Sequence, residues 1–141
     1  MSERLAVARQ RLIDGGYTCV ILTEDGEYTS FERGVKPLIE FLESGRSFEG
    51  AIAADKCVGA GAAHLYVLLG VRALWANIIS DSALEVLERA GIKACFGQRV
   101  PYIINRKGDG MCPIESAVSG AKTSEEAYDL IKAALKRLEK R

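Results

Sequence analysis

The stretch from Ala51 to Gly70, AIAADKCVGAGAAHLYVLLG, constrains the fold more than any other part of the chain. Its first four residues, Ala51 to Ala54, are apolar and bounded by polar residues, which is typical of an interior strand. From about Lys56 to Leu69 the composition indicates a buried helix, although each of its glycines costs about 1 kcal/mol of helix propensity relative to alanine. We therefore predict a strand that turns directly into a helix. We also predict that a backbone or a ligand comes close to Gly59 and Gly61.

The segment before this stretch predicts a helix, a hairpin and a second helix. Leu5, Ala8, Leu12 and Ile13 share one face of the first helix, which ends at Gly15-Gly16. The hairpin has strands at 17–23 and 28–31, and its Asp25-Gly26 pair suits the positive φ angles of a type I′ turn. The second helix runs through Val35 and Leu42, with Pro37 in its first turn.

The segment after this stretch predicts two more strands, each followed by a helix. The strands are Arg72 to Ile79 and Ile92 to Val100, the latter interrupted at Gly97. Capping boxes place helix starts at Ser82–Glu85 and Thr123–Glu126, and Pro113 suits the first position of a short helix between them. The basic end of the last helix, from Lys136 to Arg141, is predicted to be a solvated terminus, because positive charge suits the carboxyl end of a helix.

This order of elements predicts one α/β domain over residues 1–141. Helices that alternate with strands favour a three-layer α/β/α sandwich around a mixed sheet of about five strands, with an N-terminal β-hairpin joined to parallel strands. The hairpin would leave a sheet edge to cover, so a homo-oligomer is one prediction that the sequence leaves open.

Charge and hydropathy exclude several classes of partner. The 19 basic and 19 acidic side chains give a formal net charge of zero, so we expect no nucleic-acid partner. No apolar run approaches the ~18 residues of a membrane span, and the charged amino terminus has no apolar signal core. We expect a cytoplasmic protein that does not bind membranes.

The cysteines and the single histidine do not form a local metal motif. No two of the four cysteines form a CxxC pair; they are Cys19, Cys57, Cys95 and Cys112. His64 is the only histidine, so a sequence-local zinc finger is excluded. We predict four free thiols, with Cys19 and Cys95 as core residues inside strands.

Three segments carry a resemblance to a known family. They are AADKCVGAGAA, VLERAGIK and VPYIINRKGDGMCPIE. With the order of elements, they make the chain resemble a family catalogued as domain of unknown function 1893, within the cytidine deaminase-like superfamily. This resemblance covers the chain from Leu5 to about Glu115 and implies a cytidine deaminase-like fold.

The sequence departs from deaminases at the residues that bind zinc. Those enzymes use a His or Cys in an H-x-E helix start and two cysteines in a P-C-x-x-C helix start. The resemblance places the second motif at 55–59, where Lys56 and Gly59 occupy the cysteine positions. The first motif falls at 34–37, which has no His, Cys or Glu. We predict no zinc, no other cofactor and no zinc-dependent deamination.

The strand-helix turn at Asp55-Lys56-Cys57 is the predicted ligand site, because ligands bind beyond the carboxyl ends of strands in open α/β sheets. Two interpretations of Asp55 stay open: a helix cap, or a group that faces the ligand. Lys56 opposes the helix dipole, which favours a role in binding an anion or a carbonyl oxygen.

Two cysteines are candidate nucleophiles. Cys57, beside Lys56 at a helix start, would have a lowered thiol pKa, although packing under the helix is the alternative. Cys112 has a similar setting at the end of the Arg106–Gly110 loop, and whether the two thiols meet stays open.

The remaining candidate residues belong to the rim of the site and to the central helix. Tyr102, Asn105 and Arg106 could form a polar rim for a planar ligand, or serve as strand and turn residues. His64 has no neighbouring carboxylate or second histidine in the sequence, which favours a packing or surface role.

Three functions follow from these observations. The first is a zinc-free protein that binds a small, nucleotide-like molecule at the strand-helix crevice. The second is a zinc-independent enzyme with Cys57 or Cys112 as nucleophile. The third is a structural or regulatory protein that binds a macromolecular partner.

Overall fold

The computed structural model describes residues 1–139, and Lys140 and Arg141, the last residues of the predicted basic terminus, lie outside the described residues. The elements are, in chain order, α1 Glu3–Gly15, β1 Cys19–Leu22, β2 Glu27–Ser30, α2 Lys36–Glu43, β3 Ile52–Val58, α3 Ala60–Leu69, β4 Ala73–Ser80, α4 Asp81–Arg89, β5 Lys93–Val100, α5 Pro113–Ala117 and α6 Ser124–Glu139. Within residues 1–139, no helix is both long and apolar enough to cross a membrane.

The five strands form one mixed sheet in the order β2-β1-β3-β4-β5. The hairpin strand β1 is antiparallel to both β2 and β3, whereas β3, β4 and β5 are parallel. Helix α1 packs on one face of the sheet, and α2, α3, α4 and α6 lie over the other. The predicted three-layer α/β/α sandwich, with a hairpin joined to parallel strands, is confirmed.

Alternation along β3 explains why the sheet has a core on each face. Ile52 and Ala54 pack with Leu5 and Leu12 of α1, whereas Ala53 belongs to the larger core under α3. Successive side chains of a strand point to opposite faces, so an apolar run with no polar interruption is buried on both. Ile13 of α1 is 58% exposed, so its predicted place on the buried face is wrong.

The strand-helix junction differs from the prediction. β3 continues to Val58 and α3 begins only at Ala60, so the predicted helix start at Lys56 is wrong. Neighbouring strands bind this part of the backbone on both sides: the Lys56 N–H donates to the Thr18 carbonyl at 3.0 Å, and Asp55 pairs with residues of both β1 and β4. The sheet ladder therefore overrides the local helix propensity. Asp55 is not a helix cap.

Two other local predictions are corrected. Ser80, not Ser82, caps α4, since its hydroxyl accepts a hydrogen bond from the Ala83 N–H at 3.2 Å. β5 continues through Gly97 without interruption. A Cβ atom at Gly97 would lie 2.9 Å from the Asn77 carbonyl oxygen, so glycine allows β5 to approach β4 closely here.

The predicted hairpin is present, but its turn is not type I′. Gly26 is not among the residues with positive φ, and Thr23 closes the loop instead. The Thr23 N–H donates to the Gly26 carbonyl at 2.9 Å, and the Thr23 hydroxyl accepts from the Gly26 N–H at 3.0 Å. The side chain of Thr23 thus supplies a bond that a tighter turn would take from the backbone.

Side chains of the same protein, and not the predicted backbone or ligand, come close to Gly59 and Gly61. A Cβ atom at Gly61 would lie 2.5 Å from Cγ2 of Ile114 and 3.5 Å from Cδ1 of Ile131. One at Gly59 would lie 3.0 Å from Ile103. The small residues let α5, α6 and the loop before them pack against α3.

Replacing Gly61 with alanine is expected to lower the free energy of unfolding, even though alanine favours a helix. The gain in propensity is about 1 kcal/mol, whereas an extra methyl group in a packed core costs about 1–3 kcal/mol. Urea denaturation followed by circular dichroism measures the difference. A Gly61→Ala variant that is more stable than wild type would contradict this packing argument; Gly120→Ala, where a Cβ atom meets nothing within 4 Å, is the control.

Candidate functional site

Four chain segments meet at one edge of the sheet. The parallel strands β3 and β4 end there, the antiparallel β1 begins there, and the segment after β2 leads from there into α2. Between them is a cavity of about 340 Å³, called here the strand-end cavity. It is lined by Thr18, Cys19, Glu32, Arg33, Gly34, Pro37, Leu38, Asp55, Lys56, Cys57, Asn77 and Ile78.

The buried acid of this cavity is Asp55, which is only 8% exposed. Its Oδ2 accepts a hydrogen bond from the Tyr66 hydroxyl at 2.6 Å, and its Oδ1 accepts one from the Cys57 N–H at 3.1 Å. Burial raises the pKa of Asp55 to about 7, and these hydrogen bonds to the carboxylate limit the rise. A carboxyl group that is half ionised near neutral pH can both donate and accept a hydrogen bond.

Tyr66 and Cys19 complete a buried network around this acid. The Tyr66 hydroxyl lies 3.2 Å from Sγ of Cys19, and both side chains are almost fully buried. Burial raises the pKa of both groups above their ordinary values, and the Asp55 carboxylate raises them further. Both groups are therefore neutral at physiological pH, and Cys19 is the predicted core thiol.

Two cations and one further carboxylate line the exposed part of the cavity. Lys56, Arg33 and Glu32 are exposed residues that line the strand-end cavity. Lys56 follows Asp55 in β3, so the two side chains leave the strand in opposite directions. Lys56 also lines a small groove with residues of α1.

Cys57 lies on the exposed end of β3 and lines the cavity. The prediction of a lowered thiol pKa is wrong. Desolvation, followed by the charges of Asp55, Cys112 and Glu115, raises the pKa of Cys57 to about 11. Without a helix start at Cys57, no helix dipole stabilises the thiolate.

Cys57 is expected to react with iodoacetamide more slowly than a model peptide thiol at neutral pH, by about tenfold or more, because its thiolate fraction is lower. Mass spectrometry of the labelled peptides after limiting reagent measures the rate. Faster labelling of Cys57 than of the model thiol would contradict the raised pKa. It would support the hypothesis that Cys57 is a nucleophile.

The other predicted site residues lie outside the strand-end cavity. Cys112 is half-buried next to α5 and is close enough to Cys57 to affect its ionisation, but it does not line this cavity. Asn105 is a turn residue: its side-chain amide donates to Asp109 at 2.8 Å. Arg106 follows it on the exposed loop, and Tyr102 lines a second, larger cavity of about 590 Å³.

A buried glutamate, which the sequence does not identify as a site residue, closes the amino end of α3. Glu115 is 4% exposed. Its Oε1 accepts hydrogen bonds from the Ala60 N–H at 2.9 Å and from the hydroxyls of Ser80 at 2.5 Å and Ser82 at 3.0 Å. Its Oε2 accepts a hydrogen bond from the Ile103 N–H. This carboxylate occupies the place that an anionic ligand would take at a helix start.

Some residues of the site have no local sequence signal that identifies them as site residues. Tyr66 and Arg33 lie in segments read only as helix and loop, and nothing local links either of them to Asp55. For Glu115 one signal exists, an acidic residue in the first turn of the predicted helix at Pro113, but that signal indicates a cap for α5 rather than for α3.

Metal ligands are not grouped in the part of the chain that the structure describes. Over residues 1–139, no three His, Cys, Asp or Glu side chains are arranged to hold a metal ion. At the edge where the resemblance places a zinc site, the cavity is lined by the buried acid Asp55 and by the thiols of Cys19 and Cys57.

These features define an α/β/α sandwich with a buried acid at the carboxyl ends of its parallel strands. The chain belongs to the DUF1893 family, because the family model described as a domain of unknown function (DUF1893) matches residues 7–135.

Two solved structures are similar to this one. A DUF1893 family protein from Thermotoga maritima is 22% identical, with a TM-score of 0.84 over 97% of this chain and 92% of that one, so the two share a fold. A diaminohydroxyphosphoribosylaminopyrimidine deaminase/5-amino-6-(5-phosphoribosylamino)uracil reductase from Thermotoga maritima is 11% identical. Its TM-score is 0.43, over 81% of this chain and 39% of that one. A search of curated proteins found no match.

Proposed function

We propose that this protein binds a small, nucleotide-like molecule in the strand-end cavity. The observation that carries the proposal is the Asp55 carboxyl group, which is buried at the cavity with a pKa of about 7. Buried acids with shifted pKa values concentrate at functional sites, because burying such a group costs stability.

The second support is the distribution of charge around Asp55. Arg33 and Lys56 line the same cavity and are exposed, so they are available to a phosphate or carboxylate group. A ligand with a polar ring could form a hydrogen bond with Asp55, and an anionic group of the same ligand could pair with Arg33 and Lys56. The volume of about 340 Å³ lies at the lower end of the ~300–1,000 Å³ range of small-molecule sites.

Isothermal titration calorimetry with CMP and AMP tests the proposal. The matching nucleosides and inorganic phosphate serve as partial probes. We expect one nucleotide to bind wild type and to bind Asp55→Asn at least tenfold more weakly, since a hydrogen bond to a charged group is worth about 1.5–3 kcal/mol. Asp129→Asn, an exposed aspartate in α6, is the matched control and should bind as wild type does.

Two further variants test whether the cations bind the anionic group of the ligand. Arg33→Gln and Lys56→Gln should each weaken nucleotide binding and leave nucleoside binding unchanged. Arg72→Gln, an exposed cation just before β4 at the opposite end of the sheet, should change neither. If neither nucleotide binds wild type, or if Asp55→Asn binds as tightly as wild type, the proposal is overturned.

A further inference from the structure

The larger cavity lies between α3, α4 and the segments before α5 and α6, and it shares no lining residue with the strand-end cavity. Its volume is about 590 Å³. Its apolar lining comes from α3, from α4 and from the segments after α4, β5 and α5, and includes Val67, Val86, Pro101, Met111 and Val118. We call it the helical cavity.

One buried polar side chain in this cavity has a free hydrogen-bonding atom. His64 is 8% exposed, and its Nδ1 lies 3.0 Å from the Ser124 hydroxyl. Its Nε2 has no hydrogen-bond partner among residues 1–139. Burial lowers the pKa of His64, so the ring is neutral at pH 7, and Nε2 either donates or accepts according to the tautomer.

Each charged group of the helical cavity is hydrogen-bonded, ion-paired or exposed to solvent. Glu115 accepts hydrogen bonds from four donors. Glu85 and Arg89 form an ion pair with an N···O distance of 2.7 Å, and both side chains are well exposed. Lys122 is an exposed residue of the wall. The buried part of the cavity therefore favours an uncharged ligand.

An aromatic side chain adds a stacking surface. Tyr102 is 42% exposed, and Met111, which is 43% exposed, lines the same cavity. A tyrosine ring binds planar ligands by stacking. From His64, Tyr102 and the apolar walls, we infer that the helical cavity binds an uncharged planar heteroaromatic molecule, with the ring against Tyr102 and a polar ring atom on Nε2 of His64.

The single histidine of the chain makes a direct test available. In protein labelled with ¹⁵N-histidine, both ring resonances belong to His64. We expect adenine, as the probe, to shift the Nε2 resonance in a saturable manner at millimolar concentration. Inorganic phosphate should leave it unchanged.

Variants of Tyr102 separate stacking from other contacts. Tyr102→Ala should weaken adenine binding at least fivefold, whereas Tyr102→Phe should retain it. Phe31→Ala removes an exposed aromatic ring outside the helical cavity and should leave the His64 shift unchanged. An unshifted Nε2 resonance, a shift by phosphate alone, or equal affinity of Tyr102→Ala and Tyr102→Phe would each overturn the inference.

Discussion

An Asp55→Asn variant is expected to be less sensitive to pH than wild type, because it removes the acid whose ionisation opposes folding. The pKa of Asp55 is about 7 in the folded protein, against an ordinary value of 3.8. A raised folded pKa gives stability that is fully present below pH 3.8 and is lost as pH rises to about 7. Asp55 therefore lowers the free energy of unfolding by as much as about 4 kcal/mol over this window.

The asparagine can keep both hydrogen bonds of Asp55. Its Oδ1 accepts from the Cys57 N–H, and its Nδ2 donates to Tyr66, whose hydroxyl then donates to Cys19. Chemical denaturation of wild type and variant across the pH window measures the difference in unfolding free energy, in which other titrating groups cancel. Parallel curves for the two proteins would refute the raised pKa. Asp129→Asn should follow wild type.

A Glu115→Ala variant is expected to lose at least about 2 kcal/mol of unfolding free energy, since each buried donor left without a partner costs about 1–3 kcal/mol. Four donors lose their acceptor, among them the N–H groups of Ala60 and Ile103. Glu115→Gln should lose less, because its carbonyl oxygen can still accept at the Oε1 position, while its amide faces the Ile103 N–H.

Hydrogen exchange measures where this loss occurs. In Glu115→Ala the amides of Ala60 and Ile103 should exchange faster than those in the middle of β3. Glu85→Ala, which removes an exposed acid of the Glu85–Arg89 pair, is the control and should change stability by no more than about 0.5 kcal/mol. Equal stability of Glu115→Ala and Glu85→Ala would contradict the structural role of Glu115.

Sequence signals predicted those elements whose causes are local. Pro37 in the first turn of α2, Pro113 at the start of α5 and the Thr123 cap of α6 all lie where the sequence predicts them. Each depends on residues within one turn of the chain, so pattern and propensity were sufficient. The alternation of helices and strands likewise predicted the layers and the edge of the sheet where the strand-end cavity lies.

The hydrogen-bond partners and the ionisation of the residues at that edge could not be predicted, because distant contacts determine them. The pairing of Lys56 with Thr18 keeps the backbone extended where the local composition favours a helix. Asp55 can be buried because Tyr66, eleven residues later, donates to it. Such contacts leave no periodic pattern in the sequence, so the sequence left open whether Asp55 is a helix cap and whether Cys57 is an activated thiol.

Glu115 also bears on the order in which the molecule assembles. Its bonds to Ala60 and Ser80 span 55 and 35 residues of chain, so closing them costs more chain entropy than forming a hairpin or a helix does. We therefore expect them to form after β3 and β4 have paired. Removing Glu115 should therefore accelerate unfolding and leave the refolding rate almost unchanged. The Glu115 side chain would then contribute to the kinetic stability of the folded protein rather than to the rate of its folding.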